Sequence, residues 1–330
     1  MITPLVGHDK LDCAGLERLV ERLIEGGASG LFILGTTGEG TCLSRRLRRE
    51  VIERTCRQTA SRVPVLACVV DTAFEESVLL AQYAAEQGAH SVVTAAPFVL
   101  PRGRQRDLRA YLEHLAATVP LPLFLYNMPP LTQTHFDLET IFFAMEQPRV
   151  AGLKDSSGDL DYFREVCARL PTRPDWTLLS GPEELLAETV AMGGHGGIPG
   201  GANIFPQLYV ALYQAARQGD AARTKALHSA VMQVSQRLYH LDGHVSGVIK
   251  GIKCALSCLG ICSGLMSEPF QPFAEATKEQ VQRALEELQP LIQNVTTQVV
   301  IGARTPSSGS PESRSRGRGR PRSYRMRPAA

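Results

Sequence analysis

Residues 138–158 read LETIFFAMEQPRVAGLKDSSG, and the alternation they contain decides the fold. Leu138, Ile141, Phe142 and Met145 recur at three- and four-residue intervals, which gathers them on one face of an amphipathic helix. Val150–Leu153 is then a short apolar run without polar alternation, the pattern of a strand covered on both faces. A polar turn follows at Lys154-Asp155-Ser156-Ser157-Gly158. Helix, doubly covered strand and turn, in this order, are the parts of a repeating βα unit.

The pattern extends in both directions. Further apolar runs lie at residues 30–34, 65–70, 91–95, 123–126, 177–179 and 196–198. Leu16, Leu19, Val20, Leu23 and Ile24 repeat the helical spacing ahead of the first of them. Such alternation predicts a parallel sheet. Seven runs, with Met1–Val6 as the candidate for an eighth at the front, predict an α/β fold, a (β/α)8 TIM barrel, which about 200 residues can build. A doubly wound open sheet is the competing fold. No G-x-G-x-x-G follows a first strand and no P-loop is present, and Gly35-Thr36-Thr37-Gly38-Glu39-Gly40 matches neither. Beyond Pro199 the strand signal stops. Leu227, Val231, Val234, Leu238 and Leu241 keep helical spacing, a helix ending at Leu259 has Gly260 as its C-cap, and Glu279–Ile292 reads as another. The expected organisation is a barrel over 1–204 with its first strand clipped, the last barrel helix and extra C-terminal helices over 205–297, and a disordered Arg/Ser/Pro/Gly-rich tail over 304–330.

Composition narrows the class. Of 330 residues 44% are apolar and 21% charged, which suits a chain with a sizeable core and excludes one disordered throughout. No run of about 18 apolar residues offers a membrane helix. The first ten residues lack a basic region followed by an apolar core, so no secretory signal is expected. Eight cysteines without a C-x-x-C pair read as reduced thiols of a cytoplasmic protein. Cys254, Cys258 and Cys262 are spaced by four but lack a fourth ligand, and they read as small core residues. His240 and His244 are interrupted by Gly243 and read as solvated or capping side chains. Neither a metal nor a cofactor is expected. The net charge of +2 is a composite: residues 304–330 hold eight Arg and one Glu, which leaves 27 basic and 32 acidic side chains elsewhere. Arg316-Gly317-Arg318-Gly319-Arg320-Pro321-Arg322 resembles the core of an AT-hook, which inserts Arg into the DNA minor groove. A solvated extension is the preferred reading, with nucleic acid the weaker one.

In a parallel barrel the reactive groups sit at C-terminal strand ends and in the loops that follow. The second strand runs into Gly35-Thr36-Thr37-Gly38-Glu39, whose hydroxyls and amides form a carboxylate cradle. The fifth runs into Tyr126-Asn127-Met128-Pro129, which offers a phenol for proton relay. The sixth runs into Lys154, expected in the barrel mouth, where loss of solvation favours the neutral, nucleophilic amine. Amine, phenol and carboxylate cradle together suggest Schiff-base chemistry on a 2-oxo acid.

These segments resemble the dihydrodipicolinate synthase / N-acetylneuraminate lyase family of class I, pyruvate-dependent aldolases. The resemblance rests on Gly35-Thr36-Thr37-Gly38-Glu39, Tyr126-Asn127-x-Pro129, Gly152-x-Lys154-Asp155-Ser156-Ser157-Gly158, Gly193-Gly194-His195-Gly196 and Ile252-Lys253-x-Ala255-x-x-x-Leu259-Gly260, and covers roughly residues 1 to 295. It implies a homotetramer built as a dimer of dimers. It implies that Lys154 forms the Schiff base with pyruvate, that Tyr126 relays protons with Thr36 beside it, that Thr37 and amides of the turn beginning at Gly35 hold the carboxylate, and that the Ile198 backbone lies against the substrate. A small aldehyde is the implied second substrate. Several positions depart from the synthase pattern. Leu131 stands where synthases usually carry an Arg for the aldehyde's carboxylate. Phe98 and Val99 stand where a Tyr pair usually completes a relay. Val69-Val70-Asp71-Thr72 replaces the usual glycines. The alternatives are therefore a 2-keto-3-deoxy sugar-acid or N-acetylneuraminate-type aldolase or dehydratase, and a non-catalytic barrel with a binding role.

Overall fold

The computed structural model describes residues 1–97 and 104–297. A two-stranded hairpin, β1 (Leu5–Gly7) and β2 (Lys10–Leu11), precedes α1 (Cys13–Glu25). The body then alternates: β3 (Leu31–Ile33), α2 (Arg45–Thr59), β4 (Val65–Cys68), α3 (Phe74–Glu86), β5 (Ser91–Ala95), α4 (Gln105–Thr118) and β6 (Leu123–Asn127). After the short α5 (Pro129–Thr132) come α6 (Leu138–Glu146), β7 (Val150–Asp155), α7 (Leu160–Arg169), β8 (Thr177–Ser180), α8 (Leu186–Ala191) and β9 (Gly196–Gly197). Four helices finish the described chain: α9 (Pro206–Gln218), α10 (Ala221–Leu238), α11 (Gly247–Cys258) and α12 (Glu275–Thr297). Met1–Thr297 packs as one unit. No helix among the described residues is long and apolar enough to cross a membrane.

Strands β3 to β9 form one parallel sheet in strict chain order, each hydrogen-bonded to the next. All seven coincide with the apolar runs of the sequence. Both faces are covered, and every residue of β5 is buried. The helices begin where local chemistry starts them. Asp12, Ser44, Asp137, Asp159 and Asp220 accept first-turn amides of α1, α2, α6, α7 and α10 through their side chains. Each such cap contributes about 1 kcal/mol. Helix α9 ends on Gly219 at φ 71°, a left-handed position that glycine fills without steric cost. Helix α11 ends at Cys258, with Gly260 at φ 69° two residues on.

The front of the chain departs from expectation. Met1–Val6 does not enter the sheet as an eighth parallel strand. The Met1 nitrogen donates to the Phe32 carbonyl of β3 at 2.7 Å, and the Ile2 amide donates to the Asn203 side-chain oxygen, beyond β9, at 3.0 Å. The Thr3 hydroxyl reaches the Gly38 carbonyl at 2.7 Å. Pro4 has no N–H to continue a ladder, and β9 is only two residues long, so a side-chain amide supplies the acceptor that a strand backbone would. Residues 5–11 then leave as the antiparallel hairpin, with Leu5 opposite Leu11.

Cys56, Cys68, Cys254 and Cys262 are buried, Cys13, Cys167 and Cys258 partly so, and Cys42 is exposed; all are free thiols. The His244 ring accepts from the Ser246 amide at 3.1 Å at the start of α11, a capping role. Phe98, Val99 and residues 304–330 lie outside the described residues.

Candidate active site

Strands β6 and β7 pair with Tyr126 opposite Lys154 and Asn127 opposite Asp155. Side chains alternate along a strand, so Lys154 and Asp155 point to opposite faces. Lys154 is 8% exposed. Its Nζ stands 4.2 Å from the centroid of the Tyr126 ring and 4.8 Å from that of Phe32, on β3. The two rings meet edge to face, with centroids 5.9 Å apart at 88°. Among the described residues no carboxylate pairs with Lys154. Aromatic faces from two strands thus flank the amine.

The turn after β3 supplies the third group. The Thr36 hydroxyl lies 3.3 Å from the Tyr126 phenol. The turn closes on itself: the Gly38 and Gly40 amides donate to the Gly35 carbonyl at 3.0 and 3.3 Å, and the Glu39 amide donates to that of Thr36 at 3.0 Å. Leu34 and Glu39 bracket it at φ 60° and 54°, a left-handed conformation that side chains resist. Gly35 is required by its neighbour, because a Cβ there would lie 2.6 Å from the Phe32 ring. Thr37 is half-buried. Among the described residues the amides of Thr36 and Thr37 donate to no protein acceptor, so the turn presents unsatisfied donors beside the amine.

Lys154, Tyr126 and Thr36 thus come together, with Gly35 and Thr37 on the same turn. Ile198 sits just past the end of β9, its amide bonded to the Ser180 carbonyl at 2.8 Å, and makes no hydrogen bond or ring contact with the lysine group. Leu131 lies on α5, 41% exposed. On the outer face Asp155 accepts from the Asn127 side-chain nitrogen at 2.8 Å and from the Ser157 hydroxyl at 2.8 Å, which locks the ends of β6 and β7 together. Burial raises the Asp155 carboxyl and these two bonds oppose the rise.

Two buried carboxylates, Glu183 and Glu39, have partners that sequence spacing did not foresee. Glu183 accepts from the phenols of Tyr209 and Tyr239 and, at 2.7 Å, from the Gly201 amide, beneath the loop that follows Ile198. Burial pushes its carboxyl up to about 7 against the pull of those donors. Glu39 pairs with Lys253 of α11 and accepts from the Ser267 amide and hydroxyl at 2.7 and 2.8 Å. Lys253, part of the Ile252-Lys253 motif noted in the sequence, follows Ile249 and Ile252 on an apolar helix face.

The model of the dihydrodipicolinate synthetase family matches residues 1–288. The chain belongs to that family. Dihydrodipicolinate synthetase relatives include the solved dihydrodipicolinate synthase of Bacteroides thetaiotaomicron, 47% identical with a TM-score of 0.84 over 87% of this chain and 96% of that one. The 4-hydroxy-tetrahydrodipicolinate synthase of Methanopyrus kandleri is 34% identical over 241 residues, 72% of this chain and 79% of its own. An Escherichia coli K12 protein named "Probable 2-dehydro-3-deoxy-D-pentonate aldolase YjhH" is 32% identical over 226 residues, 68% and 75% of the two chains. Dihydrodipicolinate synthetase membership makes the chain an enzyme, a lyase of the synthase and aldolase kind, and its parallel sheet wrapped in helices is the barrel architecture of that family.

Proposed function

We propose that the chain condenses pyruvate with a small aldehyde, or cleaves the product, through a Schiff base on Lys154. One observation carries the reading: the Lys154 amine, without a carboxylate partner among the described residues, stands 4.2 Å from the Tyr126 ring centroid, and the Tyr126 hydroxyl meets Thr36 on the turn after β3. The amine attacks the ketone carbon, and loss of water leaves an iminium. That cation draws electrons from the adjacent methyl group, so a proton departs to give an enamine. The enamine carbon bonds to the aldehyde, and hydrolysis returns the free lysine. Tyr126 moves the protons, handing them on through Thr36. Thr37 and the turn amides from Gly35 onward hold the carboxylate, and the Ile198 backbone closes the far side.

Borohydride reduction in the presence of pyruvate, followed by peptide mass mapping, tests this. An adduct on Lys154 is expected, and its absence would overturn the reading.

Leu131 favours an aldehyde without a second carboxylate, such as one derived from a sugar acid, because an exposed leucine offers no bidentate partner on α5. Comparing aspartate semialdehyde with neutral hydroxyaldehydes decides between the branches. The working form in this reading is a cytoplasmic homotetramer, a dimer of dimers, to be checked by sedimentation of the full chain.

A further inference from the structure

Glu39 belongs to two structures at once. Its backbone closes the Thr36-Thr37 turn, through an amide that donates to the Thr36 carbonyl. Its carboxylate leaves the turn and enters the protein interior. One oxygen takes Lys253 of α11, and the other takes both donors of Ser267 at 2.7 and 2.8 Å. The side chains of Glu39 and Lys253 are both 0% exposed. Burial lowers the Lys253 ammonium, and Glu39 pulls it back up.

Such a pair is a poor source of stability, because desolvating two charges offsets most of their attraction. It is a good source of geometry. The turn it anchors has two non-glycine residues at positive φ, Leu34 at 60° and Glu39 itself at 54°, a conformation that persists only where the surroundings over-determine it. Release of the Glu39 carboxylate would let the turn relax and re-aim the free amides of Thr36 and Thr37.

We propose that Glu39 and Lys253 are positioning residues for the 2-oxo acid: through the Glu39 carboxylate, helix α11 and Ser267 fix the donors that grip the substrate carboxylate. The inference rests on the Schiff-base reading above and adds that binding of the first substrate is set from outside the barrel.

The test is a double-mutant cycle read by borohydride trapping across pyruvate concentrations, with circular dichroism to verify folding. Glu39→Gln and Lys253→Met should each raise the half-saturating pyruvate concentration by roughly tenfold or more, while the trapping rate at saturation changes by less than about threefold. In the Glu39→Gln background, Lys253→Met should add little, because its effect passes through the carboxylate. Folded single variants with the wild-type half-saturation would overturn the clamp alone. No adduct on wild-type Lys154 would overturn both readings. Loss of fold in both single variants would make the pair purely structural and overturn the clamp as well.

Discussion

Lys154 and Tyr126 are register partners on neighbouring strands, and the amine of one stands 4.2 Å from the ring centroid of the other. The tyrosine therefore offers two separable things, a ring face that packs against the amine and a hydroxyl that meets Thr36. Tyr126→Phe keeps the first and removes the second. Pyruvate trapping on Lys154 should survive, whereas turnover should fall by about 10²- to 10⁴-fold, the usual worth of a positioned proton-transfer group. Steady-state kinetics beside the trapping assay separate the two; equal losses in both would remove Tyr126 from proton transfer.

Gly35 makes room for the second ring around the amine. A methyl group there would fall 2.6 Å from the edge of Phe32, which is buried and cannot swing away into solvent. Gly35→Ala should displace Phe32 from Lys154 and destabilise the fold by about 1–3 kcal/mol, the range for overpacking. Urea unfolding reads the second effect and the pyruvate trapping rate the first. A variant as stable and as fast as the parent would show that Phe32 does not shape the amine's site.

Glu183 should leave a signature in the pH dependence of stability. Its carboxyl is raised from 4.5 to about 7 by burial. The folded state thus holds this proton more tightly than the unfolded chain. Its contribution is complete below about pH 4.5 and fades as the pH rises through 7. In Glu183→Gln this component should vanish, so that stability declines less between those limits. Denaturation midpoints across the range check it, and a variant profile parallel to that of the parent counts against it.

Leu131 is exposed enough to be replaced without disturbing the core. Leu131→Arg should raise kcat/KM for aspartate semialdehyde relative to a neutral hydroxyaldehyde by about tenfold or more, since a charge-assisted hydrogen bond contributes about 1.5–3 kcal/mol. An unchanged ratio would mean that α5 does not face the aldehyde.

Local pattern made much of this legible. Continuous apolar runs gave away all seven sheet strands; Lys154 and Tyr126 stand near the ends of two of them and Thr36 in the turn after a third, so locating the strands located these residues. Met1–Val6 misled because its apolar character is real while its ladder is not: Pro4 breaks the pairing, and Asn203 replaces a strand partner by a side chain. The pairings of Glu183 and Glu39 were invisible for another reason. Their partners lie far along the chain, at Tyr209, Tyr239, Lys253 and Ser267, and no spacing rule links a carboxylate to a donor on a distant helix. Phe32 went unremarked because a buried aromatic in a strand reads as core, which it also is.

The sheet order has a consequence for the timing of synthesis. Each strand from β4 to β9 pairs with the one made just before it, so the sheet can grow in step with the ribosome. The turn that carries Thr36 and Thr37 is made early, yet Lys253 and Ser267 are made more than two hundred residues later. Lys253 and Ser267, the partners of the Glu39 carboxylate, therefore join the turn only after Tyr126 and Lys154 have both been made. The early turn that carries Thr36 and Thr37 thus acquires the partners of its Glu39 side chain only from the C-terminal part of the chain.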